Sequence, residues 1–243
     1  MRPVYSLPSM ISLNAAYGIN ESNINASNDS ISALIDRRET LESNLDYFSF
    51  GIAYKKFINQ KIFFSLGLNY GQYTSSFQYQ DYTFISGSRV DTTEIIIYND
   101  GMMEFVSEEV PFVTTQITQN VNYLKYKTLQ IPIGLGLNVN LNDQYNFEIE
   151  SGLSYNFISM NSGRIVSNES DFSLLSELSE NYKSSNLWSA YAGFSIHRQL
   201  SNHWRIGLGL NANFDLSNRV NNEAGYSHKF RSYAGQLSIS RIF

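Results

Sequence analysis

Apolar side chains recur at every second residue through eight separate stretches of the chain, and a period of two belongs to strands whose faces meet different surroundings. In the first stretch Ile11, Leu13, Ala15 and Tyr17 alternate with Ser12, Asn14, Ala16 and Gly18. The second sets Phe48, Phe50, Ile52 and Tyr54 against Ser49, Gly51, Ala53 and Lys55. The longest sets Leu129, Ile131, Ile133, Leu135, Leu137, Val139 and Leu141 against Gln130, Pro132, Gly134, Gly136, Asn138 and Asn140. The same alternation runs through 62–71, 145–157, 188–197, 204–214 and 232–243. Eight segments of about 9–11 residues match what a tilted membrane strand requires.

The connections alternate between short and long. Ile58–Lys61, Asn142–Gln144 and Leu200–His203 are tight turns, whereas 20–46, 72–122, 159–186 and 216–228 are long. Short turns on one rim and long loops on the other are the layout of outer-membrane barrels, whose long loops face outward from the cell. The pattern therefore predicts an all-β fold: a single domain over 1–243, an eight-stranded antiparallel transmembrane up-and-down β-barrel with short periplasmic turns, long extracellular loops and both termini periplasmic. Within the long segments the spacing predicts helices over Ser30–Glu42 and Asp171–Tyr182, the latter with Phe172, Leu175 and Leu178 on one side. Around Asn99-Asp100-Gly101 it predicts a hairpin.

Composition decides what the faces meet. Charged residues are only 16% of the chain, below the roughly 25% of soluble domains, yet mean hydropathy is −0.26. No stretch nears the roughly 20 apolar residues of a membrane helix, which excludes a helical membrane protein. A membrane barrel reconciles the two facts, because only alternate residues of its strands need be apolar. A soluble barrel would put its apolar face inward and show water a face of Lys, Glu, Thr and Asp. Here the second face is mostly Gly, Ser, Asn and Ala, small enough for the crowded lumen of eight strands. The bulky face must then point at lipid. Tyr17, Tyr47, Phe57, Tyr70, Tyr145, Tyr155, Phe157, Trp188, Trp204, Phe214 and Phe243 fall near strand ends, where aromatic girdles meet headgroups.

Met1-Arg2-Pro3 leads directly into patterned sequence with no apolar leader, so the chain reads as a mature product or as the barrel end of a longer protein. With no Cys there are no disulfides or thiolate metal sites. Nothing in the sequence calls for a cofactor, a metal or a nucleic-acid partner, and no motif names a reaction. By parity Lys55, Glu148, Glu150, His197 and Arg205 face the lumen toward the short-turn end, where poorly hydrated charges must pair; a salt-bridged structural plug is expected. His228, beside Ser227, is the one candidate for a lipid-modifying site, and is otherwise read as a solvated loop residue. The four long loops carry 18 acids and 6 bases, a net −12, leaving +7 for the rest of a chain whose formal charge is −5. Such loops beside lipopolysaccharide bridge through divalent cations or simply stay soluble. In the second loop Ile95, Ile97, Met103 and Phe105 form a candidate contact surface for a protein partner.

Three features resemble the PorT-like, OmpX-like outer-membrane β-barrel proteins of Bacteroidota: the stretch Tyr126-Lys127-Thr128-Leu129-Gln130-Ile131-Pro132-Ile133, the repeated Gly-Leu-Gly-Leu/Asn wording of the third, fourth and seventh strands (Gly67-Leu68-Asn69, Gly134-Leu135-Gly136-Leu137 and Gly207-Leu208-Gly209-Leu210), and the terminal Ser240-Arg241-Ile242-Phe243. The last is similar to the aromatic signal read by the barrel-assembly machinery. Gln130 stands where that family has Glu, and the second loop is longer. The resemblance implies a bulge near Pro132, which cannot donate to a strand ladder. It does not deliver a function, because the family's members are mixed. The expectation is a non-enzymatic barrel in outer-membrane lipid beside lipopolysaccharide, acting as structural element, anchor or interaction platform. The alternative is an accessory barrel of a secretion or envelope-signalling complex, with a narrow channel or a lipid-modifying enzyme behind it.

Overall fold

The computed structural model describes residues 7–26, 29–166, 175–221 and 225–243. Eight long strands close into an antiparallel up-and-down barrel: β1 (Ser9–Ala26), β2 (Glu42–Phe57), β3 (Ile62–Ile97), β4 (Met103–Asn140), β5 (Tyr145–Ser162), β8 (Leu187–Gln199), β9 (Trp204–Asp215) and β10 (Tyr226–Ile242). Between β5 and β8 lie a small two-stranded sheet, β6 (Arg164–Val166) with β7 (Leu175–Glu177), and a helical turn, α2 (Leu178–Asn181). The helix expected near 30–42 is α1 (Asp29–Leu41). Of the helix expected over 171–182, the part before 175 lies outside the described residues, and the rest is mostly β7 and α2. The ring closes where β1 meets β10 over 17 residue pairs, from Met10↔Ile242 to Ala26↔Tyr226.

The chain divides into two compact units, Met1–Phe77 with Asn122–Phe243, and Gln78–Val121. The first is the barrel. The second is a hairpin made by the later part of β3 and the earlier part of β4, so those strands reach 36 and 38 residues where the alternation had indicated about ten. Its tip is a turn in which Gly101 N donates to Tyr98 O and Tyr98 N to Met102 O, both at 2.9 Å, with Gly101 at φ +85°. The left-handed position after Asn99-Asp100 is one that glycine fills without strain.

The three short turns share one construction. Ile58, Leu141 and Leu200 each donate a backbone N–H to the carbonyl of Ile62, Tyr145 and Trp204, four residues on, at 2.8–2.9 Å. The residue after each (Asn59, Asn142, Ser201) turns its side-chain oxygen back on the turn's own N–H groups. Asx and Ser side chains do this wherever the backbone lacks a ladder partner.

Strand parity places the side chains as the composition argued. Ile11, Leu13, Phe50, Leu66, Leu137, Ile149, Leu208 and Leu237 stand exposed on the outer surface, while Ser12, Ser49, Ser65, Asn138, Ser154 and Ser238 are buried inside. Outward aromatics mark two borders: Trp204 and Tyr145 at one end, Phe214 and Tyr155 ten residues further along the same strands. Ten residues at about 3.3 Å each, tilted about 40°, span roughly 25 Å, the height of a membrane barrel's apolar band. Two assignments are corrected. Tyr47 and Phe57 are not girdle residues; both are buried in the lumen, because they share the inward parity of Ser49 and Lys55. A bulge does occur near Pro132: the β4–β5 register shifts between Leu129 and Gln130, leaving Phe157 unpaired while Pro132 still faces Ser154. Phe157 is the extra residue, and Ile158 and Met160 face outward after it.

Candidate functional site

The barrel interior has three layers. At the short-turn end, Lys55, Glu148, Glu150, His197 and Arg205 come together, each brought inward by strand parity from β2, β5, β8 or β9. Lys55 Nζ donates to Glu148 Oε2 at 2.9 Å and lies 2.8 Å from Glu150 Oε2. Arg205 Nη2 donates to Glu148 Oε1. His197 Nε2 lies 3.4 Å from Glu148 Oε2 and 2.7 Å from Ser195 Oγ. Glu150 Oε1 accepts from Ser65 at 2.8 Å and from Tyr191 at 3.0 Å. Two cations thus face two carboxylates, and Glu148, only 1% exposed, is the hub. The Lys55 ammonium also sits 4.6 Å from the centre of the Phe63 ring, which packs against Phe57 below the charges. Glycine makes this crowding feasible. A methyl group at Gly136 would strike the Phe63 ring, and one at Gly207 would strike the His197 imidazole.

A cavity of about 130 Å³ reaches from the charged groups, Lys55, Glu148, Glu150 and His197, up to Asn14, Asn69, Asn211, Asn213 and Gln236. Its amides link across strands: Gln236 Nε2 donates to Asn14 Oδ1 at 3.2 Å, and Asn211 Nδ2 to Gln236 Oε1 at 3.1 Å. The space suits a few water molecules.

The third layer, at the long-loop end, is aromatic. Tyr73 stacks on Phe230 at 4.9 Å and meets Tyr47 at 4.9 Å; Tyr126 packs on Phe230 at 4.7 Å and on Tyr182 at 5.2 Å. All five are buried. Loop segments complete the layer: Tyr182 bridges Val220, Lys183 N donates to Arg219 O at 2.8 Å, and Leu178 N to Gly163 O at 2.9 Å. Arg219 pairs with Asp215 and lies 4.8 Å from the Tyr73 ring centre. Arg38 of α1 pairs with Glu42 at 2.6 Å and donates to Tyr182 Oη at 3.2 Å. Burial pushes the Tyr182 phenol above its ordinary range, so it stays a neutral hydrogen-bonding group. Each buried charge here has an opposite charge beside it, as low-dielectric surroundings require.

His228 belongs to this layer, which corrects its reading as a solvated loop residue. It lies on β10, 1% exposed, with Nδ1 hydrogen-bonded to Tyr182 Oη. It faces the lumen, away from the lipid that a modifying enzyme would have to reach. Among the described residues no group of His, Asp and Glu is arranged to hold a metal ion. In the hairpin unit Ile95, Ile97, Met103 and Phe105 are all exposed. Alternation puts them on one face of the ribbon, and Glu94, Glu104 and Glu108 on the other.

No protein-family model matches the sequence, and no curated protein matches it. Among solved structures the chain is similar to Neisserial surface protein A, at 11% identity over 96% of both chains with a TM-score of 0.47. It is also similar to the outer membrane protein OprG from Pseudomonas aeruginosa, at 8% identity over 98% of this chain and 96% of that one, TM-score 0.45. A third is the outer membrane protease OmpT from Escherichia coli, at 9% identity over 99% of this chain and 98% of that one, TM-score 0.44. Of the residues that fill the long-loop end, Tyr73, Tyr126 and Phe230 continue the inward parity of β3, β4 and β10, a signal that was present in the pattern. Tyr182, Val220 and Arg38 come from irregular or helical segments, where the strand parity that reports on the lumen does not apply.

Proposed function

We propose that the chain is a non-enzymatic integral outer-membrane barrel with a filled, non-conducting lumen, a structural element and interaction platform of the cell envelope. Its short turns lie in the periplasm and its long loops outside. The observation that carries this is the double closure of the interior. A neutral ion cluster around Glu148 spans the short-turn end, and a packed aromatic layer around Tyr126 and Phe230 fills the other. An ion crossing this path would have to shed its hydration against buried, already paired groups, which costs several kcal/mol at least. The exposed Ile95, Ile97, Met103 and Phe105 support the platform half of the reading, since clustered apolar side chains outside a barrel mark contact surfaces.

Planar-bilayer recording on the purified, refolded barrel tests it. The expected record is free of steady steps; reproducible unitary conductance from the wild-type chain would overturn the filled-lumen reading.

A further inference from the structure

The short-turn border of the outer surface carries a charge pattern that the filled lumen does not use. Lys56, Arg198 and Arg241 are exposed and outward-facing there, on β2, β8 and β10. Two of them lie over girdle aromatics. The Arg198 guanidinium is 6.0 Å from the Tyr145 ring centre; that of Arg241 is 5.8 Å from the Trp204 ring and 5.1 Å from Phe243. The register makes them an arc. Tyr145 opposes Arg198, Trp204 opposes Arg241, Arg241 opposes Ile11, and Ile11 opposes Tyr54, two residues before Lys56. Lys61 adds a fourth cation in the turn after β2, and Asp143 is the one acid in the three short turns. None of the described acids forms an ion pair with any of these four cations. The opposite border has outward cations too, but there Glu21 stands directly across from Arg231 and the acid-rich loops begin.

We infer that this arc is a binding surface for the phosphate groups of anionic phospholipids in the leaflet next to the short turns. The inference rests on the membrane placement proposed above. Its chemistry is that of interfacial arginine and lysine generally: the aliphatic stem covers apolar surface, the ring beneath fixes the guanidinium at headgroup depth, and the charge meets lipid phosphate. Lys56 also donates to Leu7 O at 3.2 Å and Ser9 Oγ at 3.1 Å, neutral acceptors that leave its charge uncompensated. Interfacial cations with no carboxylate partner favour anionic over zwitterionic headgroups by about fivefold each when they act fully. The chain as a whole carries −5, so non-specific charge would repel the same lipids. Preference for them therefore has to come from a local surface.

The test refolds the protein into vesicles of phosphatidylcholine containing a minor fraction of phosphatidylglycerol with matched acyl chains. Spin-labelled probes of the two lipids measure their relative association with the barrel. The wild type is expected to favour phosphatidylglycerol several-fold, with the preference shrinking at high salt. The triple variant Lys56→Gln/Arg198→Gln/Arg241→Gln is expected to lose it, and Lys56→Arg/Arg198→Lys/Arg241→Lys to keep it, with each variant first shown to be folded by its resistance to unfolding on a gel. A folded wild-type barrel that takes up both lipids equally, or a glutamine variant that retains the preference, overturns this inference alone. A chain that stays outside the vesicles overturns the membrane placement as well.

Discussion

Replacing Glu148 by Ala is expected to destabilise the folded barrel by about 3–5 kcal/mol, the usual result of removing one member of a buried ion cluster. Glu148 accepts from Lys55 and from Arg205 and lies beside His197. Without it Lys55 keeps Glu150, but Arg205, with a side chain 2% exposed, keeps no carboxylate. The loss comes from that stranded charge more than from the missing contact. The double variant Glu148→Ala/Arg205→Met restores neutrality and is expected to recover much of the difference. Urea unfolding from lipid vesicles, followed by tryptophan fluorescence, measures both. A single variant within 1 kcal/mol of wild type would mean that water reaches the cluster and the layer is not closed.

The second large effect lies on the other face. Leu208 is 68% exposed, midway along β9 between Ile196 and Leu237 on its neighbours. On a water-exposed surface Leu208→Arg would change stability by about 0.5 kcal/mol or less. At the midplane of a bilayer the same change costs about 2–4 kcal/mol. Folding equilibria of the variant in vesicles distinguish the two. The expected result is the larger penalty, and near-neutral behaviour would place this face in water.

The sequence was most informative where one physical rule acted alone. Period-two alternation with a small, weakly charged second face located all eight strands, because in a barrel each residue is either inside or outside. It also brought Lys55, Glu148, Glu150, His197 and Arg205 to one side of the wall; their depth and pairing needed coordinates. For Tyr47 and Phe57, nearness to a strand end suggests the girdle while parity points inward, and parity decides. The long extent of β3 and β4 was hidden because Gln78–Val121 lacks the small-residue face that reveals a lumen. It is a ribbon with solvent available to both sides, so its sequence is free of that constraint. The burial of His228 is hidden for a related reason: it depends on Tyr182, 46 residues earlier, in a segment whose helical spacing does not survive as one helix and says nothing of a contact with β10.

Fluorescence quenching by lipids brominated at different acyl depths puts the orientation of the two faces to direct trial. The tryptophan of Leu208→Trp, in a background with Trp188 and Trp204 replaced by Phe, reports on the middle of the outer face. Bulky apolar residues facing acyl chains predict strongest quenching by bromines deepest in the bilayer. An unquenched tryptophan in a chain that stays monomeric and folded in detergent-free buffer would contradict it.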